Sequence, residues 1–199
     1  MRKLIAGILF LIIGYLFVTL NNSSMDDYSI TDERDGKVYP VVKVNNKYWM
    51  AANLAYKPQK GGGCYDGSGD NCSEYGMLYE WQAALNACPA GWRLPNDEDW
   101  TELELLYGMN ETEAEKTGER GGHGQNMLSQ QGGINLKSGG FKKGNGAYKG
   151  MGKDAFFWTS TEGAEGGGAY ARGFVDGSEK VNRVLKEKSS GFSVRCVRD

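Results

Sequence analysis

The chain has 199 residues, of which 12% are aromatic and 30 are glycine, and its formal net charge is −2. Without Arg2 and Lys3 the charge falls to about −4, too mild and of the wrong sign for a phosphate-binding surface, so nucleic acid is excluded as a partner. Many glycines combined with many large aromatic anchors predict a loop-rich, strand-rich fold.

At the start, Arg2 and Lys3 precede an apolar run from Leu4 to Leu20, and the next charge is Asp26. A basic start followed by an apolar run is the layout of an export signal. The run is short for a hydrocarbon core of ~30 Å, yet longer than the usual signal core, and no small-x-small cleavage site follows it. Residues 1–24 therefore fit both a cleaved signal and an uncleaved membrane anchor. In either case the basic end stays inside and the rest is delivered outside. The expectation is an extracytoplasmic protein, secreted or anchored in the cell envelope through that segment. Residues 25–35 read as a polar, acidic linker. Residues 36–199 then form one domain, long enough to bury most of its apolar surface.

Val38 to Val44 and Lys47 to Met50 are β-rich runs around Asn45-Asn46, which tolerate the positive φ of a tight hairpin turn. Ala51 to Asn71 reads as irregular, broken by Pro58 and the Gly61-Gly62-Gly63 run. A helix is predicted from about Tyr75 to Ala87, because Leu78, Trp81, Leu85 and Cys88 share one face of a 3.6-residue period and Pro89 stops it. A second helix opens with Asn96 as its N-cap and carries Asp97, Glu98 and Asp99 in its first turn, favourable for the helix dipole. Its expected buried stripe is Trp100, Leu103, Leu106 and Tyr107, with Glu98, Glu102 and Glu104 on a solvated face and Gly108 at the end. From Glu111 to Asp154 the chain is glycine-rich without a period, and a structureless loop of that length would be unusual, so short strands or a packed excursion are expected. Ala155–Ser160, Ala169–Val175, Lys180–Leu185 and Gly191–Arg198 are candidate strands of an antiparallel sheet, with Asp176-Gly177 as one hairpin turn. In the last of them Phe192, Val194 and Cys196 alternate with Ser193, Arg195 and Val197, a half-buried pattern. Helices followed by a run of strands predict an α+β fold.

Four cysteines in an exported chain read as two disulfides, with three possible pairings. Cys64 and Cys72 flank a turn-forming stretch, which makes a local bridge natural and leaves Cys88 with Cys196. Zinc is the competing reading, but no two cysteines have the short spacing of a zinc knuckle.

The segments Thr31–Tyr39, Tyr48–Leu54, Cys88-Pro89-Ala90-Gly91-Trp92-Arg93-Leu94-Pro95, Phe157–Glu162 and Gly191–Asp199 together resemble the Fibrobacter succinogenes major paralogous domain, found in exported proteins of Fibrobacter and Bacteroidetes-type bacteria. The resemblance spans about residue 31 to the C-terminus. It implies a C-type lectin-like fold and carries no established activity or cofactor. The Gly-Trp-x-Leu-Pro and Gly-Phe-x-x-Arg-Cys blocks are also similar to those of formylglycine-generating domains. Those enzymes need a reactive cysteine pair near the C-terminus, and Cys196 is the only late cysteine here.

The catalytic inventory is thin. His123 is the only histidine, set in a glycine-rich loop, so a two-histidine metal site cannot be built. The Glu-Pro-Asn, Gln-Pro-Asp and Trp-Asn-Asp strings of calcium-dependent lectins do not occur. Asp66 to Asn71 imitates the start of an EF-hand loop, but Asn71 and Met77 replace its glycine and its closing glutamate. No metal and no cofactor is therefore expected. Trp49, Trp81, Trp92, Trp100 and Trp158 sit within motifs or helix stripes and read as core. Tyr148, Tyr170, Arg172 and Asp176 lie in or beside the glycine-rich loops and strand ends where such a fold presents ligands, and are the candidate ligand contacts. The leading expectation is a non-enzymatic recognition or adhesion module for a polysaccharide or protein. The alternatives are a carboxylate-based hydrolase using residues such as Asp154 or Glu162, and a purely structural envelope protein.

Overall fold

The computed structural model describes residues 28–128, 133–175 and 177–199. The segment 1–24 read as signal or anchor lies outside them, as does Asp176. No helix among the described residues is long and apolar enough to cross a membrane.

The described residues begin with β1 (Tyr28–Thr31), β2 (Val38–Val44) and β3 (Lys47–Met50). The predicted hairpin is present, with Asn45 at φ 53° in its turn. Alternation along β2 buries Tyr39 and Val41 and leaves Val38 exposed. Next come β4 (Gly62–Gly63), α1 (Gly69–Tyr75), β5 (Leu78–Tyr79) and α2 (Trp81–Ala84). The single helix predicted over 75–87 is thus replaced by a strand and one helical turn. Gly76, at φ 77°, ends α1 where a Cβ would stand 2.8 Å from the Leu54 carbonyl oxygen. Beyond it, Met77 N–H donates to the Leu54 carbonyl at 2.9 Å, and Tyr79 and Phe192 exchange backbone bonds at 2.8 and 3.0 Å. Non-local partners for the backbone of 77–79 outcompete the local i→i−4 ladder that the apolar spacing suggested.

The second helix, α3 (Asp97–Leu106), opens as predicted: Asn96 and Asp99 form a reciprocal capping box. Its buried face differs from the expected one. Leu106 is 49% exposed and Glu104 fully buried. At about 100° per residue, position 104 lies roughly 40° from Trp100 and position 106 roughly 240° from it, so Glu104 shares the Trp100–Leu103 stripe.

The long glycine-rich stretch resolves into α4 (Glu111–Ala114), β6 (Gly118–Arg120), α5 (Gly124–Leu128), β7 (Gly139–Lys142) and β8 (Tyr148–Met151). The packed excursion expected there is what forms. The sheet strands β9 (Asp154–Glu162), β10 (Ala169–Val175) and β11 (Val181–Lys186) follow, then the short β12 (Val197–Arg198). A four-stranded sheet runs β1-β2-β3-β12, a six-stranded one β6-β11-β10-β9-β7-β8, and β4 pairs with β5. Among the described residues the strand pairings are antiparallel except for that of β7 with β9, and an isolated parallel bridge joins Phe157 to Ser193. The chain is thus a mixed helix-and-sheet domain with short helices, antiparallel sheets and two disulfides, Cys64–Cys72 and Cys88–Cys196.

Two apolar cores flank the middle of the molecule. One gathers Met50, Leu54, Tyr79, Trp81, Trp158, Phe192, Val194 and Cys196, and the other Trp49, Trp100, Leu103, Met127, Phe157, Phe174, Val181 and Val197. Neighbouring residues Trp49 and Met50, or Phe157 and Trp158, feed opposite cores because side chains alternate across a strand. The terminal segment does the same. Ser193, Arg195 and Val197 are as fully buried as Phe192, Val194 and Cys196, so the segment is buried on both sides rather than on one. Of the five tryptophans, Trp49, Trp81, Trp100 and Trp158 are buried, whereas Trp92 is half-buried beneath the Arg198 guanidinium, 5.1 Å from its ring centroid.

Candidate functional site

A cleft of about 620 Å³ is lined by Phe141, Lys143, Asn145, Phe156, Lys186 and Glu187, together with Gly144, Leu185, Ser190 and Phe192. Three strands and a turn position these groups. Phe156 on β9 faces Gly173 on β10, where a Cβ would come within 2.6 Å of the Phe156 ring, so the glycine lets the ring lie against the sheet. Phe192 stacks on Phe156 at 5.1 Å between centroids, and Phe141 meets Phe156 edge-on at the same distance. Phe192 also packs 4.4 Å from Trp158, which ties the aromatic floor to the first core. Lys186 holds its ammonium 5.3 Å from the Phe156 ring centroid. On the opposite wall, the turn between β7 and β8 carries Lys143 and Asn145. Lys143 N–H donates to the Ala147 carbonyl and the Asn145 carboxamide oxygen accepts from Ala147 N–H, which shapes that turn. At the back, Lys142 and Gly191 exchange backbone hydrogen bonds of 2.9 and 2.8 Å.

In two other hollows several of the lining polar groups are already engaged with protein partners. One of about 510 Å³ lies against Asn53, Met77, Asn135 and Lys137. There the Asn53 amide donates to the Tyr75 carbonyl at 2.8 Å, its oxygen accepts from Arg195 at 2.6 Å, and Lys137 pairs with Glu74. The other, of about 400 Å³, lies at the start of α3 beside Asp97, Thr101 and Arg183. Asp97 bridges Arg172 at 2.5 Å and Arg183 at 2.7 Å. Burial works to raise the Asp97 pKa, but the two guanidiniums outweigh it and hold the carboxyl below its usual range.

Among the predicted ligand contacts, Arg172 needs correction. It is fully buried, donating from Nε to Glu104 at 2.6 Å and from Nη1 to Asp97, and it faces no open surface. Strand alternation places it on the α3 side of the sheet, where buried carboxylates wait for it. Tyr170 lies beside it under Arg183, whose guanidinium is 4.5 Å from the ring. Tyr148 is half-buried against Tyr65, at 5.0 Å between centroids, on a strand three steps away from β10, or roughly 14 Å. Asp176 lies outside the described residues. The cleft therefore draws on none of Tyr148, Tyr170 and Arg172. The signal missed was the consecutive aromatic run Phe156-Phe157-Trp158: in a strand it must split between faces, and one ring was left for the surface.

Asp154 and Glu162, the carboxylates considered for hydrolysis, start and end β9, roughly 26 Å apart along an extended strand. Glu162 pairs with Lys188. His123 is half-buried beside Gly108. The Asp66–Asn71 turn is closed by the Cys64–Cys72 bridge, with the Asn71 amide donating to the Tyr65 carbonyl at 3.0 Å. Among the described residues no group of three His, Cys, Asp or Glu side chains could hold a metal ion.

A separate buried polar centre supports the scaffold. Arg195 Nη1 donates to the carbonyls of Met50 at 2.9 Å and Ile134 at 2.7 Å, and Nη2 to Asn53 and to the Asn135 carbonyl. Burial pushes its pKa down to about 9, which still leaves it charged at neutral pH. This one side chain joins the β3 end, the 134–135 turn and the terminal segment.

In comparison with known proteins, the model of the Fibrobacter succinogenes major domain matches residues 42–198. No curated protein and no solved structure matches the chain. Two disulfides and the absence of any free cysteine among the described residues point to an oxidising, extracytoplasmic compartment.

Proposed function

This chain belongs to the Fibrobacter succinogenes major domain family, and we propose that it is an exported recognition or adhesion module that binds a polysaccharide or a protein through the aromatic cleft. The observation that carries the reading is the aromatic floor, in which half-buried Phe141 and Phe156 lie over the buried Phe192 and are rimmed by amine, amide, hydroxyl and carboxylate groups. Ligand sites combine such an apolar surface with a few polar groups that set orientation. A stapled, doubly cored scaffold holds that surface rigid, which lowers the entropy cost of binding. On this reading the domain acts without catalysis, on a C-type lectin-like scaffold. The apolar N-terminal segment delivers it across the membrane and is then either removed or kept as the anchor.

The test compares the chain with its Phe156→Ala and Leu185→Ala variants on a glycan array and in pull-downs from envelope extracts, each variant first checked for an unchanged melting profile. Capture of a defined glycan or protein that both variants weaken by tenfold or more is the expected result. No ligand of either kind, or capture indifferent to both changes, refutes the reading.

A further inference from the structure

The charges around the cleft narrow the ligand class. Lys143 and Lys186 line it from opposite walls, and neither has a carboxylate partner among the described residues. Their neighbours differ: Lys142 is paired with Glu80 and Lys188 with Glu162. The one anion in the lining, Glu187, is exposed and likewise has no cationic partner among the described residues. Two free ammonium groups against one carboxylate give the rim a net charge of +1 on a chain whose overall charge is −2. β11, which carries Lys186, and β7, which leads into Lys143, are three strand steps or roughly 14 Å apart at the backbone. That span suits a short run of linked rings better than a single small molecule.

We infer, resting on the reading of this cleft as the recognition surface, that its ligand is an acidic polysaccharide whose sugar rings bear carboxylates. The rings' apolar faces pack on Phe156 and Phe141, carboxylates meet Lys143 and Lys186, and Glu187 and Asn145 accept from ring hydroxyls. A peptide fits less well. An extended peptide would bind by adding a strand, and the backbone groups of Lys142 and Gly191 beside the cleft are already bonded to each other. Side chains are the donors left at this wall, as a saccharide requires.

Calorimetric titration of the full chain in detergent with trigalacturonate, with its methyl ester and with a hexaglutamate peptide tests the assignment. Trigalacturonate should bind about tenfold more tightly than the ester, two exposed ion pairs contributing a few-fold each. Raising NaCl from about 50 mM to about 0.5 M should remove most of that preference. The double change Lys143→Ala and Lys186→Ala, at exposed or half-exposed positions, should bring the acid down to the ester's affinity, and Arg at both positions should restore the preference. Equal affinity for acid and ester, a preference that survives the double alanine change, or tighter binding of hexaglutamate would each overturn the assignment. If neither saccharide binds while envelope pull-downs still capture a protein through Phe156, the acidic-glycan inference fails and the recognition reading stands.

Discussion

Replacing Glu104 with Gln removes one negative charge from the interior while keeping the side chain's size. In the native fold Glu104 Oε2 and Oε1 accept from Arg120 at 2.7 and 3.1 Å, and Oε1 also accepts from Arg172 Nε at 2.6 Å. All three side chains are fully buried. Arg172 keeps Asp97 as a second anion, but among the described residues Arg120 has only Glu104 and a contact with the Met109 sulfur. The substitution therefore strands one guanidinium in a dry interior and aims an amide N–H₂ at other donors. Breaking a buried pair in this way costs about 3–5 kcal/mol. For a domain of this size each kcal/mol moves Tm by about 2–4 °C, so Tm should fall by about 10 °C. Urea unfolding followed by tryptophan fluorescence reads the same loss as a lower midpoint at an unchanged slope. The cycle is completed with Glu104→Leu, Arg120→Leu and the pair together. The double variant should be more stable than Glu104→Leu alone, because it removes the orphaned cation as well. A Glu104→Gln protein within about 1 kcal/mol of wild type would refute the claim that this carboxylate neutralises the interior.

Arg195→Lys should lose about 3 kcal/mol, since a point ammonium cannot serve four acceptors that a planar fork reaches. Faster amide exchange at Leu136, next to the anchored turn, would show it, and unchanged exchange would contradict it. Changing Cys88 and Cys196 to alanine should cost more than changing Cys64 and Cys72: the closed loops correspond to ceilings of about 4.7 and about 2.6 kcal/mol, and thermal melts of the two double variants give the order. Stability should also fall in acid. Burial raises the pKa of Asp97 and Asp99, but Arg183 with Arg172, and Arg93 with Lys47, outweigh it and leave both below 3.8. Their contribution is complete above pH 3.8, the unfolded value, and is lost as pH falls through the lower folded values. Asp99→Asn should flatten the urea midpoint below pH 4, and an unaltered acid limb would exclude Asp99 as a cause.

Local chemistry was legible in the chain wherever one signal decided the outcome. Asn45-Asn46 specified the β2–β3 turn, Asn96 with Asp99 the start of α3, and the spacing of four cysteines the two bridges. The helix expected over 75–87 failed because Leu54 and Phe192, distant in sequence, supply better partners to that backbone than its own turns do. Glu104 was misplaced for a related reason: a carboxylate on an apolar stripe reads as solvated until Arg120 and Arg172 arrive from other strands to neutralise it. Arg172 itself shows that a charged residue in a strand says nothing about which face it joins.

By itself, then, the sequence determined the strand-rich mixed fold, the covalent staples and the family. Each of these depends on turns, caps and spacings that act over a few residues, or on ordered motifs. The tertiary structure alone decided which charges are buried and which aromatic ring stays open. Gly173 beneath Phe156, Lys186 above it and Lys143 across from it come from three strands and a turn. Such a juxtaposition depends on sheet order and register, which only the packing of the whole chain determines.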